Sequence, residues 1–493
     1  MASRALGTGV VLAIAVASAA LTLPTAQAAP AAPAAPERAS APGGPHSDFN
    51  GDGYADVAFA APGATVKGFA GAGYVGVAYG SSTGIKNSVK KVFTQSTAGI
   101  PGTPEAGDAF GGSVVSADLD RDGYADLVVG SPGERIGTAG RAGSLTVIWG
   151  GAGGLAGGAT VLNGEEYDNA GAHLATGDLN GDGAPDLALV RDHDLQSLLG
   201  PFTRDGLASA TTERPDMEDR RYLDLAAGDV DGDGRDDLVA AVHSGDEFDD
   251  RRILISNGSP AGPGEYTRVK GADGYSLEGG EHLAVGNVNG DKYADIAVGR
   301  AIDGYDSDLD LPLAKGGMLT YVQGSATGPQ GTRAKVFNQD SAGVPGAAEH
   351  SDGFGTSVAI GDTNGDGFGE IAVGVPNEAL GTVQRAGGIV IMPGTASGPT
   401  GTGTKGFNQS TPDVTGTAEK GDLFGGAAAF VDLDKDGRSE LAVGAPGEDT
   451  GAGSLWFFPA TASGPAAKGS VSFGHGTLGT VAAKAALGSS FNR

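Results

Sequence analysis

The stretch Asp118-Leu119-Asp120-Arg121-Asp122-Gly123-Tyr124-Ala125-Asp126 carries oxygen side chains at positions one, three, five and nine, with glycine at six. In a tight loop alternate side chains converge on one point, and glycine at six admits the positive φ of a sharp turn. A hard cation seeking six to eight oxygens at about 2.3–2.6 Å suits such a loop, and calcium is the expected occupant. The main-chain carbonyl of position seven, Tyr124, would complete the set with water. A carboxylate at nine, where an EF-hand places its last at twelve, makes a shorter loop, one that fits between two strands.

The pattern occurs seven times. Asp48, Asn50, Asp52 and Asp56, with the Tyr54 carbonyl, form the first copy. Asp178, Asn180, Asp182 and Asp186, with Ala184, form the third. Asp229, Asp231, Asp233 and Asp237, with Arg235, form the fourth. The fifth is weakened: Asn287, Asn289, Asp291 and Asp295, with Tyr293, lose two charges, and Lys292 replaces the glycine. Asp362, Asn364, Asp366 and Glu370, with Phe368, follow; Asp432, Asp434, Asp436 and Glu440, with Arg438, close the series. Six to seven structural Ca²⁺ are therefore expected, the fifth loop being empty or of low affinity. A lysine at its sixth position is expected to bear a left-handed conformational cost.

Repetition decides the fold. After each loop runs a short apolar segment such as Leu127-Val128-Val129-Gly130 or Leu441-Ala442-Val443-Gly444, a strand buried on both faces. A second strand precedes the loop, as in residues 112–116. A third follows, as in residues 144–149 and 454–458, and a fourth is seen at 90–93 and 334–337. Four short strands per repeat, no helical periodicity and 89 glycines predict an all-β chain, a seven-bladed β-propeller with calcium-binding loops over residues 46–493. The ending Leu487-Gly488-Ser489-Ser490-Phe491 matches Phe110-Gly111-Gly112-Ser113-Val114, so the C-terminal strand is expected to complete the first blade and close the ring.

Before the repeats, residues 1–28 read as a secretory signal peptide, with Arg4, an apolar run from Val10 to Leu23 and Ala26-Gln27-Ala28 at the cleavage site. Residues 29–45 are an Ala/Pro-rich spacer. No later stretch is apolar and long enough to span a bilayer. A secreted, extracellular protein is expected, and a monomer. The absence of cysteine removes disulfides and thiol nucleophiles. A net charge of −28 repels nucleic acid. Of the 60 acidic residues, 23 are loop ligands, so much of this charge belongs to the metal sites.

The chain resembles the FG-GAP repeats of integrin α-subunit propellers and their bacterial relatives. The resemblance rests on Phe110-Gly111 with Gly130-Ser131-Pro132, Phe354-Gly355 with Gly374-Val375-Pro376, and Phe424-Gly425 with Gly444-Ala445-Pro446. The first copy has Ala60-Ala61-Pro62; copies three to five lack both signals. The resemblance implies a propeller whose calcium ions are structural, and leaves function open because propellers host binding and catalysis alike.

Two other features bear on function. His173, Asp224 and His282 occupy one register, five residues before the first ligand of successive loops, and form a candidate channel cluster. They serve either as solvated lining or as acid–base groups at the channel mouth. Near-identical segments 93–110, 337–354 and 407–424 share glutamines Gln95, Gln339 and Gln409, read as fixing loop geometry. Irregular acidic insertions at 246–252 and 303–310 are where recognition tends to sit. The expected function is an extracellular recognition scaffold for a protein or glycan. The alternative is an extracellular hydrolase or lyase at the channel mouth; neither GxSxG nor HExxH occurs to strengthen it.

Overall fold

The computed structural model describes residues 1, 47–85, 90–214, 220–243, 250–303, 305–306, 311–312 and 315–493. The expected leader beyond Met1, and the whole spacer, lie outside the described residues. So do parts of both acidic insertions.

In blades 2 to 7 the nonapeptide sits between the first and second strands of an antiparallel sheet, and in blade 1 it leads into Val57–Ala61. In blade 2 the first strand is Ser113–Ala117, the second Asp126–Ser131, the third Ser144–Ile148 and the fourth Gly158–Asn163, paired in that order. The blades 3 to 7 begin at Leu174–Gly177, Arg221–Gly228, His282–Gly286, Val358–Gly361 and Ala427–Val431, and each has four strands. In blade 5 a small two-stranded sheet, Tyr305–Asp306 with Leu311–Pro312, stands within the connection between second and third strands. Helices are negligible: Glu448–Gly451, His475–Leu478 and a 3₁₀ turn at Gly331–Arg333. No described helix is long and apolar enough to cross a membrane.

The second strand of each blade is buried, save the last residue in blades 3 and 4, because it serves two neighbours. In Val57–Ala61, Val57, Phe59 and Ala61 enter the core shared with blade 7, whereas Ala58 and Ala60 enter the core shared with blade 2. Side chains alternate across a strand, so a continuous apolar run feeds both faces. Seven apolar clusters result, one at each blade boundary. The first strands of successive blades pack side by side around a channel of about 570 Å³, lined by residues such as Val115, Ala175, Leu225, Leu283, Val358 and Ala428.

The glycines of the Phe-Gly and Gly-x-Pro signals mark close approaches between blades. A Cβ on Gly130 would stand 2.0 Å from the Gly171 carbonyl oxygen, and one on Gly374 2.0 Å from that of Gly425. Gly111, at φ 93°, packs against Val75 and Ala60 of the preceding blade.

The ring closes as expected. Blade 1 supplies only Val57–Ala61, Tyr74–Ala78 and Lys90–Phe93 from its own repeat. Its fourth partner is the C-terminal segment: Gly488 N–H donates to the Ala60 carbonyl, Ala60 N–H to Ser490 and Asn492 N–H to Ala58, at 3.0–3.1 Å. Phe491 is bridged to Phe59 and packs in the cluster between blades 7 and 1.

Candidate functional site

The loops are built around the carboxylate of position one. Asp48 Oδ1 accepts the N–H groups of Gly51 and Asp52, and its Oδ2 that of Gly53. Position five accepts the N–H of position seven, as Asp52 does from Tyr54 at 3.0 Å. The same net recurs around Asp178, Asp229 and Asp362. These bonds turn the acidic side chains inward.

Position nine anchors the loop to the sheet. Asp126 Oδ2 accepts the Leu119 N–H at 3.0 Å and Oδ1 the Gly150 N–H at 2.8 Å. Asp56, Asp186, Asp237, Asp295 and Glu370 receive the corresponding position-two N–H, as does Glu440. Burial pushes Asp56 up to about 8 and Asp126, Asp186, Asp237, Glu370 and Glu440 up to about 7. A carboxylate oxygen that accepts one backbone bond keeps a lone pair for an ion.

The loops also join one another. Ala125 N–H donates to the Asp48 carbonyl, Asp236 to Asp178, Ala294 to Asp229, Gly369 to Asn287 and Ser439 to Asp362, each at 2.8–3.1 Å. The position-one residue of one blade thus holds the loop of the next. An ion that stiffens one loop stiffens a blade boundary.

These residues fit a hard cation. Acidic oxygens of Asp118, Asp120 and Asp122 lie within 4.8 Å of one another, as do those of Asp229, Asp231 and Asp237, and of Asp432, Asp434 and Glu440. In loops with asparagine at position three, no three acidic residues converge so closely among the described residues. Positive side chains gather on the same oxygens. The Arg204 guanidinium contacts Asp120 and Asp122 while lying over the Trp149 ring at 5.0 Å. Arg235 meets Asp233 at 2.7 Å and Arg438 meets Asp436 at 2.6 Å.

The fifth loop departs from the others, though not by the expected strain. Lys292 is absent from the left-handed residues, so the expectation of a left-handed cost at that position is corrected. Its Nζ instead lies 4.7 Å from the Tyr293 ring centre and approaches the Gly232 carbonyl of the preceding loop. Asn287 keeps the Gly290 N–H but turns its own amide onto the Asp291 carbonyl, a bond an aspartate cannot donate. The strained position is the fourth, which sequence reading passed over: Arg121 has φ 60° and Lys435 φ 61° where the other five loops have glycine.

The channel register is an inter-blade contact. Ser113 Oγ donates to the Gly171 carbonyl and Ser357 Oγ to Gly425, each on the next blade. Asp224, 7% exposed, accepts N–H groups from Leu225 and from Leu283 of blade 5 at 2.9 Å. Arg493, which sequence reading did not single out, places Nη1 2.9 Å from both Asp224 oxygens across the channel. His173 and His282 stand near this pair, and burial lowers both, His282 to about 4, so both are neutral at pH 7. Neither imidazole hydrogen-bonds to Asp224 among the described residues. The three side chains are neighbours without the hydrogen-bonded relay that acid–base work requires.

A cavity of about 860 Å³ lies on the face opposite the nonapeptide loops, between the turns that follow second strands and the segments that lead into first strands. Phe69, 45% exposed, lines it together with Glu105, Arg135, Arg141 and Asn169. The strands that flank both acidic insertions, Asp237–His243 and Arg251–Ser256, and Asp295–Arg300 and Met318–Val322, meet the insertions at this face.

Seven closed blades, each with an oxygen-rich loop leading into its second strand, define a β-propeller built on a repeated acidic turn. The FG-GAP repeat model matches residues 46–77, 110–148, 354–392 and 424–458, which fall in blades 1, 2, 6 and 7. The chain thus carries FG-GAP repeats and is similar to integrin α chains. It is 29% identical over 256 residues to integrin alpha pat-2 of Caenorhabditis briggsae, covering 48% of this chain and 19% of that protein. Integrin alpha-8 of Mus musculus is 29% identical over 249 residues, covering 48% of this chain and 21% of its own length. The chain thus spans about a fifth of these relatives. Among solved structures, the Dos1 propeller aligns with a TM-score of 0.41 at 10% identity, over 81% of this chain and 92% of that one. The exotype rhamnogalacturonan lyase YesX aligns at 0.35 and 14% identity, over 87% of this chain and 76% of that one. At such scores neither likeness bears on function.

Proposed function

We propose that the chain is a secreted calcium-binding propeller that acts as an extracellular recognition scaffold for a protein or glycan. The observation that carries this reading is the division of labour between its two faces. One face is occupied by the belt of acidic loops, whose ligands come from single turns and leave little of an ion's coordination sphere for a substrate. The other face carries the cavity at Phe69, Arg135 and Arg141 and the strand ends that meet both irregular insertions. Exposed aromatic and arginine side chains are the residue types that anchor interfaces. Kinship with integrin α chains, which are extracellular or membrane-associated, supports the location and the role.

Calcium is assigned to the loops at Asp48, Asp118, Asp178, Asp229, Asp362 and Asp432, with the fifth loop weak. The ions are structural. Removing one ligand, Asp122→Ala, is expected to cut the calcium-induced rise in unfolding midpoint by about one site's share, ~1 kcal/mol. Asp291→Ala is expected to leave that rise unchanged, because its loop is already remodelled around Asn287. Thermal unfolding with and without calcium compares the two, and equal losses would show the fifth loop to be a working site.

Partner binding is tested by probing arrays of extracellular matrix proteins and acidic glycans with the full chain in millimolar calcium. Ligands bound by the native chain are expected to lose at least about tenfold in affinity to a Phe69→Ala/Arg141→Ala variant of unchanged midpoint. Ligands that bind both proteins equally would place recognition elsewhere, and conversion of a bound glycan would favour the lyase or hydrolase alternative.

A further inference from the structure

On the face opposite the nonapeptide loops, three buried clusters repeat one arrangement. Gln95, Gln339 and Gln409 lie in the segments that lead into blades 2, 6 and 7, and are only 6%, 4% and 4% exposed. Each donates Nε2 to a glutamate 39 residues further on: Glu134 at 2.5 Å, Glu378 at 2.7 Å and Glu448 at 2.7 Å. A second carboxylate stands with each pair, Asp108, Asp352 or Asp422, exposed by 1%, 4% and 1%. These aspartates accept the N–H of Glu105, Glu349 and Glu419 at 2.5–2.7 Å. Their carbonyls accept the N–H of the residue just before each glutamate (Gly133, Asn377 and Gly447) at 3.0 Å. The aspartate is therefore fixed by backbone contacts and the glutamate by the glutamine amide.

Two features of these clusters call for a positive ligand. No cationic side chain pairs with any of the six carboxylates among the described residues. Arg135 stands 3.9 Å from the outlying Glu105 in the first copy, but its counterparts are Ala379 and Asp449. Burial and the neighbouring aspartate raise Glu134 and Glu448 to about 7. The second feature is independent of charge. The Oε1 atoms of Gln95, Gln339 and Gln409 are all buried without a hydrogen-bond partner. A buried acceptor left unmade is destabilising, and here the unmade bond recurs three times at the same place in the repeat. An amide oxygen beside two carboxylates is an all-oxygen donor set of the kind hard divalent ions prefer.

We propose that each cluster holds a hard divalent cation, Ca²⁺ or Mg²⁺, between its aspartate and glutamate, with the glutamine Oε1 as a third protein oxygen. Each ion pins the segment that leads into a blade to the turn after that blade's second strand. Water completes the shell; Asp108 lines the 860 Å³ cavity, which gives the first site access to solvent. Blades 3, 4 and 5 lack both the glutamine segment and the glutamate, so these sites accompany the Phe-Gly signals rather than the nonapeptides.

The test is a metal count on the full chain after dialysis against 1 mM calcium and 1 mM magnesium, by mass spectrometry of the bound ions. Glu134→Gln/Glu378→Gln/Glu448→Gln is expected to bind three fewer ions than the native chain, and each single change one fewer. The single variants keep the test decisive if the triple variant does not fold. The nonapeptide loops are intact in all of them, so their own occupancy does not enter the difference. An unchanged count would overturn the proposal. It would mean that each cluster carries a proton shared between carboxylic acid and amide, in which case the glutamines would also raise the unfolding midpoint in chelator.

Discussion

Deleting residues 488–493 is expected to lower the unfolding midpoint by about 10 °C or to prevent folding altogether. Among the described residues the segment supplies the only partner on one edge of Val57–Ala61, through three backbone bonds and the Asn492 side chain, whose Oδ1 accepts the Ala58 N–H at 2.8 Å. Each bond contributes about 1 kcal/mol net. Phe491 is 5% exposed within the cluster shared by blades 7 and 1, and losing such a ring costs about 3–5 kcal/mol. The deletion also removes the Arg493 bond to Asp224 and leaves a strand edge open to other chains. Phe491→Ala alone isolates the packing part and is expected to show roughly half of the loss. A midpoint unmoved by the deletion would mean that the blades hold the ring without this clasp.

Adding calcium to the chelated chain is expected to produce a comparable rise. An ion that binds only the folded state stabilises it by RT ln(1 + [L]/Kd), about 1 kcal/mol per site at a few times Kd. Loops of this kind bind at roughly 10⁻⁴–10⁻³ M, so millimolar calcium engages them partly and the effect grows with concentration. Six loops acting together give about 6 kcal/mol, a rise of about 6 °C for a chain of this size. The bonds that join neighbouring loops at five of the boundaries make the transition steeper, because chelation loosens boundaries and not single turns. A chain whose midpoint ignores calcium up to 10 mM would show that the acidic loops hold themselves without metal.

The fold was legible because its punctuation is local. Each nonapeptide marks the turn into a second strand, and the apolar run after it serves two cores at once. The match of 487–491 to 110–114 was enough to place the closing strand. What escaped reading depends on residues far apart in sequence. Asp224 finds Arg493 across the channel, and Gln95 finds Glu134 a full 39 residues away, so the glutamines looked like loop-fixing residues and nothing more. The fifth loop was expected to be weak partly because of a lysine in a strained position. That lysine escapes the left-handed region, and what sets the loop apart is Asn287, which keeps the Gly290 N–H and also donates its amide to the Asp291 carbonyl. Asp224 and His282 lie on the first strands of their blades and His173 just before one. Which way the side chains of this register turn depends on the neighbouring blade, and in the serine copies that blade's backbone takes the hydroxyl.

The most direct test of the central claim is to count calcium bound by the nonapeptide loops alone. The chain carrying glutamine at Glu134, Glu378 and Glu448 would be dialysed against millimolar calcium and its bound ions counted by mass spectrometry. The expected result is about six, or about seven if the fifth loop fills at higher calcium. A count of zero or one would contradict the account, because the converging carboxylates of Asp118, Asp229 and Asp432 would then be held by hydrogen bonds and arginines alone.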